Sequence, residues 1–233
     1  MPIINRDSPL TDNKDIKKKK LSVKRRSKGE KTREKILLAA IDILAEKGIK
    51  GTTHRAIASK AELQLSLTTY YFKDIQELVQ QAFNLNCQNT SASSHHILAP
   101  TFALIEKTDR KELRKIAVKE ELCDEISTSI ALQLINRITT QSKQLLVEQF
   151  MFGEVQVNPN LNMIAEKHHS ALILPFEQLC QYFNKVDPYI DAEILYSFVS
   201  QLQYSQVVHK ESLILESISQ PIRKIIAWIM KVK

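Results

Sequence analysis

The sequence predicts an all-α protein, and three observations carry that expectation. Its 233 residues include only four glycines and seven prolines, few for a chain of many strands and tight turns. Apolar residues recur at spacings of three and four, the period of one helix face, and nowhere alternate with period two. The clearest breaks, Asn158-Pro159 and Asp187-Pro188, separate segments of helical length. About nine or ten helices are expected, with no internal repeat.

Charge divides the chain before any helix does. Residues 1–33 hold twelve Lys or Arg against four acids, or +8, and the remaining 200 hold 21 against 22, or −1. The run "KDIKKKKLSVKRRSKGEKTR" has almost nothing apolar to bury, so residues 1–30 are expected to form a disordered basic arm. Such an arm suits phosphate, in DNA above all because counterion release rewards it. An anionic membrane surface and a merely solubilising tail are the other readings.

From Lys31 the pattern becomes regular. In "TREKILLAAIDILAEKG", Ile36, Ala39, Ala40, Ile43 and Leu44 make one stripe, Thr32 is placed to cap the start, and Gly48 suits the position past the end. A first helix over about 33–47 follows. Thr53 is a candidate N-cap for a short helix, 54–60, and another begins near Leu65. Two short helices joined by a tight turn behind a longer one make a helix-turn-helix.

The second short helix carries Thr68, Thr69, Tyr70, Tyr71 and Phe72 in a row, residue types that helix propensity disfavours. A helix composed against its own propensity implies a surface with something to touch.

Residues 33–78, with Ile36-Leu37, Ala39-Ala40, Gly48, Thr52-Thr53, Ile57-Ala58, Ala61 and the ending Tyr71-Phe72-Lys73-Asp74, resemble the N-terminal DNA-binding domain of TetR-family bacterial regulators. Two positions depart from the family pattern, Glu62 and Ser66, where glycine is usual or frequent. A Glu62 forced to positive φ would cost about 1 kcal/mol. The resemblance implies that residues 31–74 read DNA and that residues 75–233 form a helical ligand-binding and dimerisation domain.

It also assigns roles within the reading head. Gln64, Leu65, Ser66, Leu67 and Thr69 match the groove-facing part of the recognition helix. Tyr71 and Lys73 match its phosphate-contacting end, and His54 another backbone contact. Tyr70 is assigned to packing or phosphate, and Phe72 to the core. Hydroxyls donate to phosphates, while Thr methyls and Leu meet thymine methyls.

Beyond the head the resemblance fades. Asp74 with Glu77 makes a capping-box-like start to a helix of about 75–94. Further helices are expected at about 101–107, 110–124, 128–156, 160–184, 188–209 and 214–231. Leu195, Phe198, Val199 and Leu202 form one apolar stripe, and Ile222, Ile225, Ile226 and Ile229 another. Pattern alone allows core or interface. The resemblance implies interface, because family members dimerise through their last two long helices, and a two-fold dimer requires a palindromic double-stranded operator.

Family members commonly release DNA when a small molecule binds, so an effector site is implied among the remaining helices. Gln149, Phe152 and Gln156 share one face and mix aromatic with polar groups, and Glu148, His168, His169 and Tyr204 are further polar candidates. The effector itself is unknown.

Other functions lack apparatus in this sequence. There is no Gly-rich phosphate loop, no GxSxG and no HExxH, so no enzyme and no cofactor is expected. His95-His96 and His168-His169 are adjacent pairs, which diverge by about 100° on a helix and do not share a metal ion. Cys87, Cys123 and Cys180 form no framework and read as buried hydrophobes. No apolar run reaches the roughly 18 residues of a membrane span, and a cytoplasmic protein is expected. The reading is a DNA-binding transcriptional regulator, most readily a repressor; a ligand-independent or architectural dimer on DNA is the alternative.

Overall fold

The computed structural model describes residues 28–94, 98–109, 111–208 and 213–232. The arm, residues 1–27, and the pair His95-His96 lie outside them. Among the described residues there are ten α-helices, two single 3-10 turns and no strand, so the all-α expectation holds. They are α1 (Lys28–Gly51), α2 (His54–Lys60), α3 (Leu65–Tyr71), α4 (Ile75–Ser94), α5 (Ala99–Lys107), α6 (Ile116–Thr140), α7 (Ser142–Glu154), α8 (Asn162–Phe183), α9 (Pro188–Val208) and α10 (Leu215–Ile229). No helix among them is long and apolar enough to cross a membrane.

Helix α1 begins at Lys28, earlier than the stripe suggested, because Lys and Glu are good helix formers that leave no periodic signal on a solvated turn. Thr32 therefore sits inside the helix, where its hydroxyl donates to the Lys28 carbonyl at 3.0 Å; it is not the cap. Gly48 does break the helix, at φ 67° and ψ −176°, a conformation close to glycine-only. One further turn follows it.

Between α6 and α7 the structure differs from the expected break near residues 125–127. Ile126 and Ser127 are buried mid-helix, and α6 runs to Thr140. The break falls at Gln141 (φ −125°, ψ 27°). The hydroxyls of Thr139 and Thr140 both return to the Asn136 carbonyl, a local competition that helps end the helix with no Gly or Pro to advertise it.

Two apolar cores result. The first gathers Ile36, Ala40, Leu44, Ile57, Phe72, Leu78 and Phe83 from α1 to α4, and also Val147 and Met151 of α7 and Ala165 of α8. The second is built from α5, α6, α8, α9 and α10, with Leu145 of α7. The division drawn at residue 74 is thus a boundary in sequence, while α4, α7 and the start of α8 help to build the core under the reading head.

The two late stripes are largely core. Leu195 and Ile222 are fully buried, Val199, Ile226 and Ile229 nearly so, and Phe198, Leu202 and Ile225 are half-buried against the second core. Helix α10 needs its isoleucines to cover α6. The apolar groups that α8, α9 and α10 leave exposed are others, including Leu174, Tyr189, Ile190, Ile194 and Trp228.

Cys87, Cys123 and Cys180 are free and buried. Burial pushes their thiols up to about 12, 11 and 12 respectively, which fits hydrophobes more than nucleophiles. Cys87 and Cys123 each meet a methionine sulfur at 3.4 Å, Met151 and Met230.

Candidate nucleic-acid interface and effector site

Thr53 caps α2 as expected, its hydroxyl accepting from the Ala56 amide at 3.2 Å. The chain then turns at Glu62, which sits at φ +52°. The Leu63 amide returns to the Ala58 carbonyl at 3.0 Å. This is the strained left-handed turn anticipated from the missing glycine, and it aims α3 outward. On α3 and its flanks Gln64, Leu65, Ser66, Thr69, Tyr70 and Lys73 are exposed, whereas His54, Leu67 and Tyr71 are half-buried and Thr68 is buried.

The disfavoured run divides by side. Thr68 and Thr69 return their hydroxyl protons to the carbonyls of Leu65 and Ser66, which offsets the helix penalty of threonine and leaves the exposed Thr69 presenting a methyl and lone pairs. Phe72 is core, 1% exposed, with the Arg33 guanidinium over its ring at 5.3 Å. Tyr70 is 79% exposed and lies edge-on to Tyr71 at 5.1 Å, so it does not pack into the core.

The head is fastened to α4. Glu77 donates its amide to Asp74 and accepts from the Lys73 amide, both at 2.8 Å, which completes the expected cap and fixes the backbone at Lys73. Gln81 accepts from Arg33 and donates to Glu77. Helix α7 is tied to the same body: Lys143 pairs with Asp42 at 2.7 Å, and Asn86 donates to the Gln144 carbonyl at 3.0 Å.

On its other side α7 carries Glu148, 2% exposed. His168 meets Oε2 at 2.9 Å, Tyr204 donates to Oε1 at 2.8 Å, and Arg137 stands 3.8 Å away. Burial alone would raise the Glu148 pKa, but the His168 hydrogen bond, the Arg137 charge and the Tyr204 hydroxyl outweigh it and hold the carboxyl below its usual range. Phe152 stacks on His168 at 6.0 Å. Burial and the adjoining carboxylate raise the Tyr204 hydroxyl pKa, keeping it a donor.

Three of the effector candidates, Phe152, His168 and Tyr204, thus gather around Glu148. Gln149 and Gln156 do not; both are exposed, and Gln156 lies beyond the end of α7. Beside the cluster runs a cavity walled by Leu134, Leu172, Phe176 and Val199, with Arg137, Tyr196, Ser200 and Gln203 as its polar lining. None of the effector candidates lines it. A wider cleft of about 1140 Å³ opens between α5 and α8, where Arg114, Tyr182 and Lys185 are exposed to solvent.

Residues 36–82 match the family described as bacterial regulatory proteins, tetR family. That stretch, from α1 through the first two turns of α4, matches the family's N-terminal domain. A transcriptional regulator from Rhodococcus sp. Rha1 shares its fold at a TM-score of 0.64 and 16% identity, over 85% of this chain and 96% of the other. A TetR-family transcriptional regulator from Mesorhizobium loti does so at 0.62 and 13%, over 88% and 98%. The multidrug binding protein EbrR, in complex with imidazole, matches at 0.56 and 19%, over 83% and 93%. No curated protein matches the sequence significantly.

Sequence reasoning missed Arg137, although a signal existed. The α6 stripe Ile126, Ile130, Leu134 continues, one turn on, to Arg137 and Ile138, so an arginine falls on a buried line. A charge in that place needs a partner.

Proposed function

We propose that the chain is a DNA-binding transcriptional regulator of the TetR family: a cytoplasmic repressor, without enzymatic activity, that binds a palindromic operator as a homodimer and releases it when a small molecule enters the C-terminal core. One observation carries the reading: α7 belongs to both cores, holding Val147 and Met151 under the reading head and Glu148 among side chains of α6, α8 and α9. A ligand that favours a different placement of α7 would shift the head, provided that its affinity differs between the two placements. A hundredfold loss of operator affinity corresponds to about 2.7 kcal/mol of coupling, within the usual allosteric range. The multidrug-binding neighbour supports a ligand-responsive C-terminal domain.

In this reading Gln64, Leu65, Ser66, Leu67 and Thr69 face bases, His54, Tyr70, Tyr71 and Lys73 face phosphates, and the basic arm adds non-specific affinity. The test is selection of bound sequences from a random duplex pool, followed by gel shifts. Enrichment of an inverted repeat with half-sites about one turn apart is expected. Retention of duplexes without sequence preference would favour the architectural alternative.

A further inference from the structure

Arg137 is 8% exposed, yet its Nε and Nη2 have no hydrogen-bond partner. These two donors share one edge of the guanidinium plane, the edge that matches both oxygens of a carboxylate. Glu148 does not fill that role. Its nearer oxygen stands 3.8 Å from Nη2, too far for a hydrogen bond, and both of its oxygens are engaged by His168 and Tyr204. A buried donor left unmade costs about 1–3 kcal/mol, so two such donors on one buried guanidinium edge favour an acceptor there.

The adjoining cavity shows what fits. Of the charged cluster only Arg137 lines it; Glu148, His168 and Tyr204 do not. The remaining lining is apolar, apart from Tyr196, Ser200 and Gln203. The space between the lining atoms, mouth included, is about 470 Å³, while a water can occupy only about 30 Å³ of it. The first figure takes in open solvent at the mouth; the second admits only a water or two, far less than the roughly 300–1,000 Å³ of a formed small-molecule pocket. A flexible apolar body must therefore part the side chains, and its anionic end has one cation to meet.

We propose that the Arg137 cavity binds small monocarboxylic acids with an apolar body, the carboxylate taking the Nε/Nη2 edge and the body lying against Leu134, Leu172, Phe176 and Val199. The proposal rests on the ligand-responsive reading above and names the chemical class of its effector.

The test is calorimetric titration of the full chain with straight-chain acids from acetate to decanoate and with benzoate, each beside its neutral alcohol or amide. At least one acid is expected to bind tenfold or more tightly than its neutral counterpart. Arg137→Met is expected to erase that preference, and Arg137→Lys, which keeps the charge without the fork, to leave part of it. Acids that bind no better than their neutral counterparts, or not at all, overturn the proposal and leave Arg137 a water-satisfied cation. If Arg137→Met does not fold, the acid-to-neutral ratio of the unmodified chain decides alone. Acid binding with unchanged operator affinity upholds the site and overturns ligand release. Absent acid preference with release by a compound of another class does the reverse.

Discussion

Val147 and Glu148 are adjacent in sequence and lie in different surroundings: Val147 is buried in the core beneath the reading head, and Glu148 is buried among α6, α8 and α9. Neighbours on a helix point about 100° apart, so a helix wedged between two cores serves both. Met151 shares the Val147 face and meets Cys87 at 3.4 Å. Met151→Ala is expected to destabilise the protein by about 2–4 kcal/mol through the cavity it leaves, measured by urea unfolding. A loss below 1 kcal/mol would mean that α7 is not held by the N-terminal core.

Glu148 makes stability depend on pH. Its carboxyl titrates below the ordinary value of 4.5 in the folded chain, so the folded state favours the ionised form. That contribution is complete above the unfolded value and disappears as pH falls through the lowered folded one. Glu148→Gln, which strands Arg137, is expected to cost about 3 kcal/mol near neutrality. The difference from the unmodified chain should shrink below about pH 4.5, and a gap constant from pH 7 to pH 3.5 would contradict the assignment.

Two backbone positions predict opposite outcomes. Gly48 has φ +67° and no atom within 4 Å of where a Cβ would stand. Gly48→Ala is therefore expected to cost about 2 kcal/mol from strain alone, without a clash. Glu62, at φ +52°, already bears such strain. Relief of about 1 kcal/mol in Glu62→Gly, partly offset by the freer unfolded chain, leaves a gain of about 0.5 kcal/mol. Thermal unfolding of both variants checks the pair.

On the reading helix, Thr69 and Lys73 are expected to separate base reading from phosphate contact. Thr69→Ala is exposed and should leave the melting temperature unchanged, while weakening the selected operator by about 1–3 kcal/mol and relaxing choice at one base position. Lys73→Ala should weaken all sequences alike and reduce the salt slope by about one. Gel shifts at several salt concentrations distinguish the two, and equal behaviour would place the groove-facing surface elsewhere.

For the dimer, Ile194 and Leu195 are adjacent on α9 and make opposite predictions. Leu195 is fully buried in the core, and Leu195→Ala is expected to cost about 2–5 kcal/mol in stability. Ile194 is 38% exposed, and a charge there, Ile194→Glu, is expected to split a dimer while leaving the fold intact. Light scattering of the unmodified chain reporting its monomer mass of 26.7 kDa would end the homodimer reading.

What sequence determined by itself was local. Spacings of three and four, the Thr53 cap, Gly48 and the Asp74–Glu77 pair specify α1 to α4 because each acts within one or two turns of chain, and the run through Tyr71 and Phe72 marked the reading head. Tertiary structure decided which face of each apolar stripe is inside. Ile222, Ile226 and Ile229 read equally as interface or core until α6 was seen beneath them. It also decided that α7 belongs to two cores, and that Glu148, His168, Tyr204 and Arg137, spread over 68 positions of chain, form one cluster. Periodicity reports that a face is apolar, but the identity of the partner covering it, and the charge left unpaired beside it, depend on contacts between residues distant in sequence.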